Sequence, residues 1–258
     1  MMSRVQLGVG RVLLLGAVVL LQHVPPNGAL SQNATAAAVQ PPAAHAILRS
    51  YVADFGAHMP SADARHVVDW IFASRDNDGL EFIVVDKKSA AMFVFDSHAR
   101  LRGSSPILLG AAVGDNSVPG IGSRPIEDIR PEERTTPAGR YLAERGRNAR
   151  GEDVVWVDYN DALSIHRVLR THPEERRLER LASESIADNR ISWGCINVPV
   201  AFYEATVRPV FKSRRALVYI LPDVKPVQQV FATYDAGALQ RWRLGWNLSG
   251  ESVNRHGD

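Results

Sequence analysis

The chain carries one cysteine, Cys195, within the run Arg190-Ile-Ser-Trp-Gly-Cys-Ile-Asn-Val-Pro199. A lone thiol has no disulfide partner in its own chain, so it is either buried and inert or used. A used thiol acts as the thiolate. It attacks a carbonyl, provided that a base exchanges protons with it and that donors meet the oxyanion that develops. Its neighbours suit that task. Gly194 allows close backbone approach or positive φ. The backbone N–H groups around Trp193, Gly194 and Cys195 are the expected oxyanion donors, and Ser192 is placed to orient the loop. Trp193 has one N–H donor and no acceptor, so it walls a pocket or stacks on a substrate but cannot be a base. Asn197 and Pro199 read as the start of a helix over 200–206. Asn197 is then a cap, and the positive end of the helix favours thiolate at Cys195. Two histidines upstream are candidate bases. His166 ends the apolar run Ala162-Leu-Ser-Ile-His166, and His172 directly precedes Pro173 in what reads as a loop.

These residues need elements to hold them. Residues 43–55 and 60–72 carry short helical patterns, the second opened by Pro60-Ser61 as a cap and ended by Asp76-Asn-Asp-Gly79. The period then changes to that of strands. Phe82-Ile-Val-Val-Asp86 and Ala91-Met-Phe-Val-Phe95 flank a turn at Lys87-Lys88-Ser89, and a third strand is expected at Pro106-Ile-Leu-Leu109. A meander of this kind predicts an antiparallel, β-rich domain. Residues 110–140 are rich in Gly and Pro and read as loop, with turn chemistry at Thr135-Thr-Pro-Ala-Gly-Arg-Tyr141. Strands follow at 154–158 and 162–166, a charged helical stretch at 173–187, and a closing strand at 216–221.

Ser192, Gly194, Cys195, Ile196 and Asn197 resemble the catalytic signature of the L,D-transpeptidases, a family with a histidine, a spacer, then Ser/Thr-His-Gly-Cys followed by an apolar residue and Asn or Arg. The element at 135–141 resembles the family's Thr-Pro-x-Gly-x-aromatic turn, and 82–110 resembles the start of its catalytic domain. Two positions depart from the pattern. Trp193 stands where the family has His. His166 lies 29 positions before Cys195, a longer spacer than usual, filled by an insertion at 172–187 that reads as a surface helix flanking the mouth of the site. The resemblance implies a mainly β fold with a few helices: an L,D-transpeptidase-like β-sandwich over 80–222, preceded by a short helical region at 47–79 and followed by an extension at 223–258. It implies a cysteine-dependent acyltransferase with Cys195 as nucleophile and His166 as general base and acid. Either a backbone carbonyl near Arg167 or a carboxylate would orient His166. The implied substrates are peptidoglycan stem peptides, as both donor and acceptor, joined in 3–3 cross-links through a Cys195 thioester. An L,D-carboxypeptidase using water, transfer to another amine, and a wall-binding module with faded catalysis are the alternatives. Arg167 and Arg140 are candidate substrate contacts. Arg124, Arg130 and Arg134 either meet stem-peptide carboxylates or lie on a solvated loop.

Composition narrows the classes. The formal net charge of +2 over 258 residues falls short of a nucleic-acid-binding signature. The eight histidines show no His-x-x-x-His or CxxC spacing, and there is no phosphate- or dinucleotide-binding loop, so neither metal nor cofactor is expected. Arg4 and Arg11 precede the apolar run Val12-Leu-Leu-Leu-Gly-Ala-Val-Val-Leu-Leu21, which is too short to span a bilayer, for which roughly 20 residues are needed. Residues 1–31 therefore read as an export signal, with small-residue cleavage patterns at 34–36 and 36–38, and 32–46 as a flexible linker. The expected destination is the periplasm or cell envelope, with no stable membrane span after cleavage.

Overall fold

The structure, a computed structural model, describes residues 53–213 and 215–231. The expected signal, the linker, most of the first helical pattern and the tail beyond 231 lie outside these residues.

Residues 53–55, read as the end of a helix, are extended. Ala53 and Phe55 are buried while Asp54 is exposed, and Asp54 bridges to Arg100. Helix α1 spans Ala62–Ser74. Its N-cap Ser61 accepts the Ala64 N–H at 3.0 Å, which satisfies one of the four orphan donors of the first turn. Ala64, Val67, Val68 and Ile71 are fully buried, the i, i+3, i+4, i+7 stripe of an amphipathic helix.

The strands are β1 Phe82–Asp86, β2 Ala91–Phe95, β3 Leu101–Pro106, β4 Leu109–Gly110, β5 Gly139–Arg147, β6 Asp153–Asp158, β7 Leu163–Arg167, β8 Arg190–Ser192, β9 Ile196–Val198 and β10 Arg215–Ile220. Eight of them form one sheet in the order β3-β2-β1-β10-β5-β6-β7-β9, and β4 pairs with β8 in a small ribbon. The fold is mainly β with a few helices. It is mixed rather than antiparallel, because β1 pairs with β10, and β7 with β9, in parallel. Parallel neighbours need a crossover of a dozen or more residues, and the segment between β7 and β9 supplies one. β1 and β10 are central and covered on both faces, which is why each reads as a continuous apolar run. Phe82 and Val84 join Val67, Val68 and Ile71 of α1 in one cluster. Ile83 and Val85 face a second cluster with Ile165, Ile196, Tyr203 and Val207. That cluster collects residues from both ends of the strand order. A Leu108–Asn197 bridge ties the continuation of β3 to β9 at the opposite edge, so the sheet curls around a shared core.

The third strand begins at Leu101, earlier than expected. Its half-exposed residues carry too few apolar side chains for the pattern to register. β5 was hidden for the same reason: Gly139–Arg147 alternates exposure with a single fully buried residue, Ala143. After β9 a helical run over 200–210 includes a π-helical turn at Tyr203–Val207.

Candidate active site

Cys195 lies in the tight turn between β8 and β9 and is half-buried. The parallel register sets Ile165 beside Ile196 and His166 beside Asn197, which brings Ser164 level with Cys195. The Ser164 hydroxyl lies 3.4 Å from Cys195 Sγ, and the Ala162 carbonyl lies 3.4 Å from it on the same side.

The turn is held from within and from below. Ser192 Oγ donates to the Cys195 carbonyl at 2.6 Å and accepts the Gly194 N–H at 3.1 Å. Gly194 therefore does not offer its N–H as an oxyanion donor, contrary to the expectation for it. Gly194 has φ +126°, a conformation reserved for glycine, and a Cβ there would lie 2.8 Å from the Thr135 carbonyl. The neighbouring Thr136 is fully buried. Its hydroxyl donates to the Gly194 carbonyl at 2.7 Å and accepts the Gly110 N–H at 2.9 Å. The element read as turn chemistry at 135–141 thus braces the nucleophile turn.

His166, on β7, is the histidine paired with Cys195. Its Nδ1 lies 2.7 Å from the Arg167 carbonyl, which fixes Nδ1 as the protonated nitrogen in the neutral ring and leaves Nε2 for the thiol. The orienting group is thus a backbone carbonyl. Burial alone would push the thiol up, but the hydrogen bond and charge of His166 overcome it and hold Cys195 below the ordinary cysteine range. Burial likewise works against the imidazolium, and the hydrogen bond and charge of Cys195 raise His166 in spite of it. The two shifts share one cause, each group favouring the charged form of the other. His172 lies elsewhere: exposed, it pairs with Glu174 at 3.1 Å, beside a cleft of about 370 Å³ lined by Leu169, Arg170, Pro173 and Arg177.

Asn197 does not cap a helix. It lies in β9, fully buried, and the helical run starts at Val200 with Pro199 before it. The helix-dipole argument for Cys195 fails with that shift, and the thiol is held down by His166 and by the hydrogen bonds of Ser164. Asn197 instead donates to the Cys195 carbonyl at 3.2 Å and accepts from Arg177 at 2.6 Å. Arg177 opens the short helix α2, Arg177–Ala182, and also bonds Glu175. Leu181 packs with Leu108 and Val168. The insertion is therefore anchored against the back of the nucleophile turn.

The two candidate substrate arginines are engaged elsewhere. Arg167 bonds Glu204 at 2.7 Å and the Asp153 carbonyl at 2.9 Å, and it stacks on Tyr203. Its side chain leaves the strand on the side opposite His166, as the period of two requires. Arg140 holds Asp76 just past the end of α1, at 2.6 Å, on a strand two places from β7. Arg124 and Arg130 both bond Glu133. Arg134 differs from them: its guanidinium carbon lies 3.5 Å from the centre of the Trp193 ring.

Sequence reading missed a buried charge cluster beneath the turn. Lys87 Nζ is fully buried, 3.1 Å from Asp115 and 3.2 Å from Asp223, and it donates to the carbonyls of Gly114 and Thr136. Arg190 of β8 bonds Asp223 at 2.7 Å and the Lys87 carbonyl at 3.1 Å. Desolvation lowers Lys87 despite both carboxylates. Two cations and two carboxylates balance, which is the condition for burying charge at tolerable cost. The Lys87-Lys88 pair looked like an ordinary polar turn, and nothing local marks which of the two turns inward.

The arrangement is a half-buried thiol with a histidine held by a backbone carbonyl on a mixed, curled sheet, residue types that covalent acyl transfer uses. No family model matches the chain, and neither does any curated protein. Similar solved structures include the helical cell shape determining protein Pgp2 from Campylobacter jejuni (17% identity, 68% of this chain and 63% of that one, TM-score 0.38). They also include the catalytic domain of an Enterococcus faecium L,D-transpeptidase (15% identity, 55% of this chain and 98% of that one, TM-score 0.30). A third is an L,D-transpeptidase from Xylanimonas cellulosilytica (13% identity, 55% and 60%, TM-score 0.32). The chain spans less than two thirds of the length of Pgp2. These likenesses are partial, and the case for function rests on Cys195 and its surroundings.

Proposed function

We propose that the chain is an exported cysteine acyltransferase of the L,D-transpeptidase type, acting on peptidoglycan stem tetrapeptides. The observation that carries the proposal is the pairing of Cys195 with a His166 whose other nitrogen is held by a backbone carbonyl. The Cys195 thiolate attacks the carbonyl of the third stem residue. The carbonyl π pair moves onto oxygen, where the Cys195 N–H meets it. Collapse breaks the C–N bond, and the His166 imidazolium gives its proton to the departing D-alanine nitrogen. A thioester remains. The amine of a second stem peptide attacks it and yields its proton to His166, and the thiolate leaves, giving a 3–3 cross-link. Cys195 and His166 are the catalytic residues; Ser192, Gly194, Asn197 and Thr136 hold the turn. The work site in this reading is the periplasm or cell envelope. Among the described residues no helix is long and apolar enough to cross a membrane.

The test is intact-protein mass spectrometry of the chain with a purified disaccharide-tetrapeptide, with products analysed in parallel. The expected result is an adduct on Cys195 with loss of D-alanine, absent from Cys195→Ala, and accumulation of 3–3 dimers. Tripeptide alone would convert the reading to a carboxypeptidase. Bound substrate without an adduct would leave a wall-binding module.

A further inference from the structure

Arg134 and Trp193 have no role in the chemistry above, yet they stand against the nucleophile turn. Arg134 directly precedes Thr135-Thr136, whose backbone and hydroxyl press on Gly194. Trp193 directly precedes Gly194. The guanidinium sits 3.5 Å over the indole, a cation–π contact that favours one orientation of each group. Arg134 Nε and Nη2 both donate to the Ile129 carbonyl, at 3.3 and 3.2 Å. Its Nη1 has no partner among the described residues, and no carboxylate pairs with its charge, in contrast to Arg124 and Arg130, which share Glu133. The Trp193 indole N–H likewise meets no acceptor among the described residues. Both side chains are half-buried.

We infer that Arg134 and Trp193 form a carboxylate-binding subsite beside Cys195, which selects peptides that end in a free carboxylate one residue beyond the scissile carbonyl. Guanidinium and indole are donors without acceptors, and an ionised carboxylate is an acceptor without donors. Partial burial strengthens the charge-assisted bond between them. Trp193 lies in the same β8–β9 turn as Cys195, and the one residue between scissile carbonyl and carboxylate spans about 3.8 Å. The subsite rests on the acyl-transfer reading only for its place relative to the scissile bond.

The experiment is titration calorimetry of the full chain as Cys195→Ser, with the stem tetrapeptide as its free acid and as its C-terminal amide. The expected result is binding of the acid tighter than the amide by roughly 10- to 100-fold, the range for a hydrogen bond to a charged group. Arg134→Met removes the difference. Trp193→Phe keeps the ring but loses the N–H, and narrows it. Should Arg134→Met fail to fold, Trp193→Phe and the salt dependence of the acid-over-amide ratio carry the test. Equal affinity for acid and amide, no binding of either, or a difference that survives in folded Arg134→Met overturns the subsite. Acylation of Cys195 in the unsubstituted chain is scored separately. Adducts without acid preference sink the subsite alone, whereas acid preference without adducts keeps it and sinks the transferase.

Discussion

Replacing Thr136 by Val tests whether the Thr-Pro turn is what holds the nucleophile. The two side chains have nearly the same shape, so no cavity opens, but the hydroxyl disappears. The Gly194 carbonyl then loses its donor at 2.7 Å and the Gly110 N–H loses its acceptor at 2.9 Å, at a position with no solvent exposure. Each orphaned buried group costs about 1–3 kcal/mol, so the expected loss of stability is about 2–6 kcal/mol. At about 2–4 °C per kcal/mol for a chain of this size, the melting temperature should fall by about 4–24 °C. Thr136→Ser keeps the hydroxyl and sheds one methyl group, at about 1 kcal/mol. Chemical denaturation of the three proteins gives the stabilities. Iodoacetamide alkylation of Cys195, followed by mass, reports whether the turn still presents the thiolate, and the Val protein should react more slowly than the Ser protein. A Val variant within 1 kcal/mol of the parent, or a Ser variant as damaged as the Val variant, would refute the brace.

Two further outcomes follow from titration. Cys195 is held below and His166 above their ordinary values, so alkylation should rise with pH through a midpoint under 9.0 and then level off. In His166→Ala burial is opposed only by the hydrogen bonds of Ser164, and the midpoint should move upward; an unchanged midpoint would deny the pair. Asp115 is buried, yet the backbone N–H groups of Lys225, Asp223 and Val224 and the Lys87 bond pull its pKa from 3.8 down to about 2. A carboxyl with a depressed folded value stabilises the fold above its unfolded value, and that stability is lost as pH falls from about 4 toward 2. Acid unfolding curves should therefore be steeper in that window for the parent than for Asp115→Asn, and parallel curves would count against the assignment.

Much of this was legible because the residues in question obey a period. β1, β2 and β10 announce themselves as apolar runs, and Ser61 as a cap before a helical stripe. Cys195 was legible by chemistry, as the lone thiol beside a glycine. What could not be read depends on contacts between distant segments. The segment 196–198 lacks any local mark of a strand beside β7, so Asn197 read as a cap when it is a ladder residue. β5 is largely polar because its alternate residues face water. Lys87 sits within ordinary turn composition, and only Asp115 and Asp223, far along the chain, make it internal. Arg140 and Arg167 had the right charge for a substrate, but Asp76, Glu204 and Asp153 claim them first.

The position of β10 has a consequence for the order in which the molecule comes into being. This last strand of the sheet lies between β1 and β5, and Asp223 just beyond it closes the charge cluster under the nucleophile turn. No nascent segment that stops short of these residues can complete the sheet or steady Cys195. Contacts spanning about half of the sequence must form before the sheet and the cluster beneath the thiol are complete, a topology that folds slowly and late. A chain released a little at a time, from a ribosome or through a translocation pore, thus keeps its nucleophile unassembled until nearly the whole domain has emerged.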